Sequence, residues 1–198
     1  MNWKDMPKLP LVLIAVMFIA GAVLYPSLPQ VIPTHWGPGG TADAWSQKSF
    51  LSVFQMPLVS AGLWVLFVVM PLFDPKRANL LRSKKAYGVI LDGVTALMLA
   101  VFGASMAAAF NHAFPVDRIV IGSIGLLFLV IGNFMTTVKR NFTMGVRFAW
   151  TVMDDVVWAK TNRLGGYLFM GHSETLSGMN LPLQLITSSI YRKRHENA

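Results

Sequence analysis

Four stretches of this chain are apolar for long enough to cross a lipid bilayer, and no other feature restricts its folding as much. A spanning helix needs roughly 17–25 mainly apolar residues, because the hydrocarbon core is about 30 Å thick and each helical residue rises about 1.5 Å. The runs extend from about Leu9 to Tyr25, Phe50 to Phe73, Ala86 to Phe110 and Ile119 to Met135. Of the 198 residues, 54% are hydrophobic and only 13% are charged, about half the charged share of an ordinary soluble domain. A soluble monomer so composed would expose large apolar patches. The expected fold is all-α, a polytopic transmembrane bundle of four spans. With no Cys in the chain, a disulfide scaffold, thiol catalysis and thiolate metal sites are excluded. Lys4 and Lys8 before the first run also suit a signal peptide. However, Pro26-Ser27-Leu28-Pro29 offers no small-residue cleavage site, so a retained helix is expected.

The basic residues set the sidedness. The amino terminus holds Lys4 and Lys8, and the link between the second and third runs holds Lys76, Arg77, Arg82, Lys84 and Lys85. Lys139, Arg140, Arg147, Lys160 and Arg163 follow the fourth run, and Arg192, Lys193 and Arg194 close the tail. Of the 17 Lys and Arg residues, only Lys48 and Arg118 fall in the other two links. Cytoplasmic loops collect basic residues, so the amino terminus and the basic tail are expected inside, with 26–49 and 111–118 outside. The net charge of +8 therefore reads as membrane sidedness rather than as nucleic-acid binding, for which no motif stands in the chain. Leu181 to Tyr191 is apolar, but its 11 residues are too few to cross as a helix and suit the membrane surface.

The outer link is rich in special backbone residues. Pro26, Pro29 and Pro33 fix their φ angles and remove donors, so the helix should stop and the chain leave extended. Gly37, Gly39 and Gly40 permit left-handed turns, and Trp36 and Trp45 suit the interface. A stiff, shaped loop on the outer surface is expected. His35 and Asp43 could form a base or a metal pair, but they are too few for a metal site, and no Ser, Cys or Glu nearby completes a catalytic set. Neither catalysis nor a cofactor is expected. The second informative segment runs from Gly132 to Gly166. Asn133, near the inner end of its span, needs hydrogen-bond partners there. Thr151 followed by Asp154 has the spacing of an N-cap with an acidic N3 residue, which predicts a helix from about Val152 to Leu164, stopped by Gly165-Gly166. Arg147 beside Trp150 could form a cation–π pair. Lys160 and Arg163 reach lipid headgroups in a bland anchoring role.

Two patterns in these segments resemble one family. Pro26-x-x-Pro29-x-x-Ile32-Pro33-x-His35-Trp36-Gly37-x-x-Gly40-x-x-Asp43 is similar to the amino-terminal signature of the SdpI-like immunity proteins. Gly132-Asn133, Lys139-x-Asn141-x-x-x-Gly145-x-Arg147-x-x-Trp150-Thr151 and Trp158-x-Lys160-Thr161-x-Arg163-x-Gly165-Gly166 resemble its second signature. The resemblance implies a multi-pass protein of the bacterial plasma membrane that protects its producer from a secreted peptide toxin. In some members it further implies signalling, by holding a small winged-helix repressor at the membrane. It would make Pro29, Pro33, His35, Trp36, Gly37, Gly40 and Asp43 the toxin-facing loop. Arg147, Trp150, Trp158, Lys160 and Arg163 would belong to the inner face. The chain has Phe148-Ala149 where the family usually has Thr-Pro, and Asn162 where His is common. The family usually continues from Gly-Gly into two more spans, giving six, whereas residues 171–198 do not read so.

The expected organisation is 1–49 as first span and outer module, 50–135 as spans two to four, 136–166 as cytoplasmic signature, and 167–198 as a divergent tail, interfacial or partly disordered. Asp92 lies inside the third run, where an acid is a functional candidate by default. The bland alternative pairs it with Lys84, Lys85 or a neighbouring helix. With Gln55, Pro57 and Ser60 as a polar seam, Asp92 supports a rival reading, a small transporter or lipid-associated helper.

Overall fold

The computed structural model describes residues 6–37 and 40–171. Helix α1 (Leu9–Leu24) ends in a 3-10 turn and is followed by strands β1 (Val31–Trp36) and β2 (Ala42–Gln47). Then come α2 (Phe50–Phe73), α3 (Arg77–Arg82), α4 (Lys84–Phe110), α5 (Val116–Met135), α6 (Ala149–Met153) and α7 (Asp155–Phe169). The helical segments Leu9–Ser27, Phe50–Phe73, Lys84–Phe110 and Val116–Met135 are long and apolar enough to cross a membrane. They match the four runs read from the sequence to within three residues at each end. Their exposed surfaces are apolar: Ile19 is 64% exposed, Val23 71% and Leu126 63%. Only a lipid solvent makes such surfaces favourable.

The described residues divide into two compact units, interleaved along the sequence: one from the segments 7–67 and 91–127, the other from Met6, 68–90 and 128–171. The first unit is centred on Met17, Ile32, Val53, Phe54, Phe102 and Met106. Phe54 stacks on Phe50 at 4.7 Å and on Phe18 at 5.9 Å between ring centroids. Gly21 lets that ring lie on α1, since a Cβ there would stand 3.0 Å from Phe54 Cε1. The stiff, shaped loop expected of the outer link is a β-hairpin, whose strands are the extended chain that its prolines predict. β1 and β2 pair antiparallel with Val31 opposite Gln47 and Trp36 opposite Ala42, and the register slips on either side of His35. Pro33 sits in the ladder beside the first slip; it has no N–H to donate, a property tolerated at bulges and edges.

The second unit packs Ala86, Val138 and Trp158 together, with Phe134, Met144 and Val152 against them. Two expectations for this region are corrected. Asp154, not Thr151, is the helix N-cap: its side chain accepts from Val156 N and Val157 N. Thr151 instead lies within α6, where its hydroxyl accepts from Phe148 N at 2.8 Å. Nor do Gly165 and Gly166 stop the helix, for α7 runs through them to Phe169. Their role is close packing. A Cβ on Gly166 would meet Gly132 O at 2.7 Å, and one on Gly132 would meet Gly166 O at 2.7 Å. Residues 172–198 lie outside the described residues, and with them the expected surface-lying tail.

Candidate functional site

In the first unit the hairpin is built onto the helix ends around it. The Lys48 ammonium donates to Leu28 O at 2.9 Å and Tyr25 O at 3.3 Å, and lies 5.4 Å from the centre of the Tyr25 ring. A cation is thus set on the carbonyls at the carboxyl end of α1, where the helix dipole favours it. Trp36 packs with Phe114 and Val120 against Ala104, Ala108 and Val116, and Trp45 meets His112 edge-on at 5.1 Å. The hairpin and the link 111–118, both expected outside, are therefore gathered in one unit. Gly40 makes the turn possible. Its φ is +74°, and a Cβ there would stand 2.6 Å from Asp117 Cγ. Gly37 donates to Thr41 O at 3.0 Å and accepts from Gly40 N at 2.9 Å.

Across the hairpin His35 Nδ1 and Asp43 Oδ1 are 2.5 Å apart, with side chains 69% and 50% exposed. A pair so open to solvent is a poor place for general-base chemistry. It is well placed to meet a ligand. Among the described residues no group of three or more His, Asp or Glu side chains could hold a metal ion. Beside the pair lies an apolar groove of about 330 Å³ lined by Trp36, Met56, Val101, Val116 and Ile121, with Asp117 in its wall. Pro33 is buried, whereas Pro29 is exposed ahead of the strand.

The second unit orders the other signature as a hydrogen-bonded loop. Asn141, fully buried, donates to Lys139 O at 2.7 Å and accepts from Thr143 N and Met144 N at 2.8 and 2.7 Å. This local bonding turns the chain without strand or helix. Gly145 has φ +114°, and a Cβ there would fall 2.7 Å from Asn162 Oδ1. That oxygen accepts from Val146 N at 2.9 Å, while Asn162 Nδ2 donates to Trp158 O at 3.0 Å. Trp158 is 2% exposed, and its Nε1 donates to Val138 O at 2.8 Å. It holds the loop together rather than offering a docking contact on the surface. Thr161 is also buried, while Lys160, Arg163 and Asn133 are exposed. Asn133 therefore does not turn inward for partners. Arg147 donates to Phe142 O, and Trp150 stacks on Phe148 at 5.1 Å.

Several residues that organise this loop stand outside both signatures. Asp74, 7% exposed, accepts from Lys76 N at 2.7 Å, Phe142 N at 2.9 Å and Thr143 Oγ1 at 2.6 Å. Ser83 Oγ accepts from Lys139 N at 2.8 Å, and Asn79 Nδ2 donates to Arg140 O at 2.9 Å. Arg140 pairs with Asp155, Nε to Oδ1 at 2.6 Å. The local signal for Asp74 was its place at the end of the second run before Pro75, a turn-initiating dipeptide. No local signal points to Ser83 or Asn79.

Asp92 is not paired as the bland reading required: Asp92 Oδ1 is buried with no hydrogen-bond partner among the described residues, and so is Trp64 Nε1. The expected polar seam does not form beside it. Ser60 satisfies itself on Met56 O at 2.8 Å, and Gln55 is exposed.

These features define a polytopic helical membrane protein with one unit built on a β-hairpin and another on a folded basic segment. A domain family of unknown function (DUF1648) matches residues 12–61, and the SdpI/YfhL protein family matches residues 137–189. The chain is 22% identical to Immunity protein SdpI of Bacillus subtilis (strain 168) over 153 residues, covering 77% of this chain and 70% of that protein. No solved structure matches it significantly. The chain is thus similar to an SdpI immunity protein over most of its length, and to the SdpI/YfhL family over its carboxyl-terminal part. The second family match continues past Gly166 to residue 189, into the segment that the sequence reading set apart.

Proposed function

We propose that this chain is an immunity protein of the bacterial plasma membrane, protecting its cell from a secreted antibacterial peptide. The observation that carries the reading is the likeness to Immunity protein SdpI over 77% of the chain. In this reading the amino terminus and basic segments are cytoplasmic, as the bias of 15 of 17 basic residues suggests, and the hairpin faces the medium. The toxin meets the surface bearing Pro29, Pro33, His35, Trp36, Gly37, Gly40 and Asp43, with the apolar groove beside it. The exposed His35–Asp43 pair and the rigid base made by Lys48 and Trp36 support that assignment. Inside, the surface of Arg147, Trp150, Lys160 and Arg163 holds a small repressor when toxin is bound, which makes the protein a signal transducer as well.

Expression in a toxin-sensitive cell tests the first part. Survival should rise, and killing that is unchanged with the protein shown to be in the membrane refutes it. A Thr41→Cys variant should react with an impermeant thiol reagent in intact cells. Reaction only after lysis inverts the orientation. For signalling, the repressor should co-purify with membranes only when toxin is present.

A second reading, a transporter or lipid-associated helper, is favoured by one observation. Two orphan polar atoms, Trp64 Nε1 and Asp92 Oδ1, lie inside spanning helices. Trp64 stands nine residues before Phe73 and Asp92 eight after Lys84. If this reading is right, Asp92→Asn abolishes the cellular phenotype while leaving folding intact.

A further inference from the structure

The second unit contains a cleft of about 320 Å³ whose walls carry Arg82, Lys139, Arg140 and Asp155, three cations and one carboxylate. Arg140 is committed to Asp155. Arg82 and Lys139 have no carboxylate partner among the described residues, so the cleft has an uncompensated charge of two. Its walls are held in place. Ser83 Oγ accepts from Lys139 N at 2.8 Å and Asn79 Nδ2 donates to Arg140 O at 2.9 Å, tying α3 and its end to the loop after α5. The cleft also lies where spans end. Thr136 and Thr137, which line it, directly follow Met135, the last residue of α5, and Arg82 stands two residues before Lys84, the first of α4. Residues at span ends sit at headgroup depth. Basic pockets at that depth between transmembrane helices suit anionic lipid headgroups.

We propose that this cleft is a binding site for the phosphate headgroup of an anionic phospholipid, with Arg82 and Lys139 as the charged contacts. The site differs from general attraction of the exposed Lys160 and Arg163 to the membrane, because its cations line one cleft. It requires only that the protein lie in a membrane, so it stands or falls apart from the immunity reading.

The test is titration of the purified full-length protein, in neutral detergent, with dioctanoyl-phosphatidylglycerol and, separately, dioctanoyl-phosphatidylcholine. One saturable site selective for the anionic lipid is expected. Arg82→Gln with Lys139→Gln should weaken it about 25-fold, taking roughly fivefold for each surface charge removed. Arg82→Lys with Lys139→Arg should stay within about threefold by the same reasoning, because the charge is kept. Lys160→Gln with Arg163→Gln should leave the affinity nearly unchanged. Equal binding of both lipids, or an equal loss in the Lys160 and Arg163 variant, would overturn the proposal. So would a Lys/Arg exchange that fails like the Gln pair, since charge would then not be what binds. Glycerol 3-phosphate should compete only weakly. If it binds as tightly as the lipid, the occupant is a soluble phosphate ester and the lipid assignment fails.

Discussion

Replacing Asp74 probes the unit that orders the basic loop. The carboxylate joins two segments far apart in sequence: Oδ1 takes Lys76 N, and Oδ2 takes both Phe142 N and Thr143 Oγ1. A hydrogen bond to a charged group contributes about 1.5–3 kcal/mol, and a buried donor left unpaired costs its desolvation. In Asp74→Ala all three bonds go. Thr143 can rotate its hydroxyl elsewhere and Phe142 is exposed enough to find water, so the net loss is about 3 kcal/mol rather than the full sum. That corresponds to roughly a 100-fold rise in local opening. Asp74→Asn is the finer perturbation. With its amide oxygen turned toward Phe142 and Thr143 it keeps two acceptor bonds and loses the one to Lys76 N, about 1 kcal/mol and less than tenfold. Hydrogen exchange in lipid nanodiscs reads this directly. The Phe142 and Lys76 amides should exchange roughly 100-fold faster in Asp74→Ala, with the 31–47 hairpin unchanged. A change below threefold, or one no larger than that of Asp74→Asn, would refute the view that this carboxylate ties the two segments together.

Four further outcomes are expected. Gly166→Ala should destabilise the detergent-solubilised protein by about 1–3 kcal/mol, the usual cost of overpacking, because its Cβ would meet Gly132 O at 2.7 Å. Gly125→Ala, inside α5 with open space around it, should not lower the thermal melt and should raise stability by up to about 1 kcal/mol of helix propensity. Gly40→Ala should abolish toxin protection without loss of membrane insertion, since both its φ of +74° and Asp117 oppose a side chain; normal survival of cells carrying it would show that the turn is dispensable. Asn162→Leu leaves Val146 N without its acceptor and should cost about 1–3 kcal/mol, read as faster protease nicking between residues 139 and 148.

Much of the architecture is written in local pattern. An apolar run must form all its backbone hydrogen bonds within itself once in lipid, so run length alone located α2 and brought α1, α4 and α5 to within three residues. The signature residues were partly legible as types: His35 and Asp43 do face each other and Gly40 does hold positive φ, whereas Gly37 does not, and the positive φ of Gly145 has no local signal. Local reading failed where a residue answers to a distant partner. The spacing of Thr151 to Asp154 allows a cap, but the chain breaks at Asp154 instead, whose own oxygen meets the free amides of α7. Gly165-Gly166 signals a helix stop, the usual meaning of such a pair in water. Here the approach of Gly132 needs the missing side chains, and packing outweighs the propensity cost of about 1 kcal/mol per glycine.

The sequence by itself determined the solvent this protein folds in, its four spans and the segments that differ from plain membrane anchor, because hydrophobicity, charge and proline act through the nearest residues. Only the tertiary structure decided that the outer link is a hairpin seated on Lys48 and Trp36. It also decided that Asp74, Asn79 and Ser83 hold the basic loop, and that Trp158 is a strut and not a surface. The hydrogen bonds among them join residues 20 to 69 positions apart. Hydrogen bonds and van der Waals contacts act over a few ångströms, and which atoms come that close is settled only when the helices have packed.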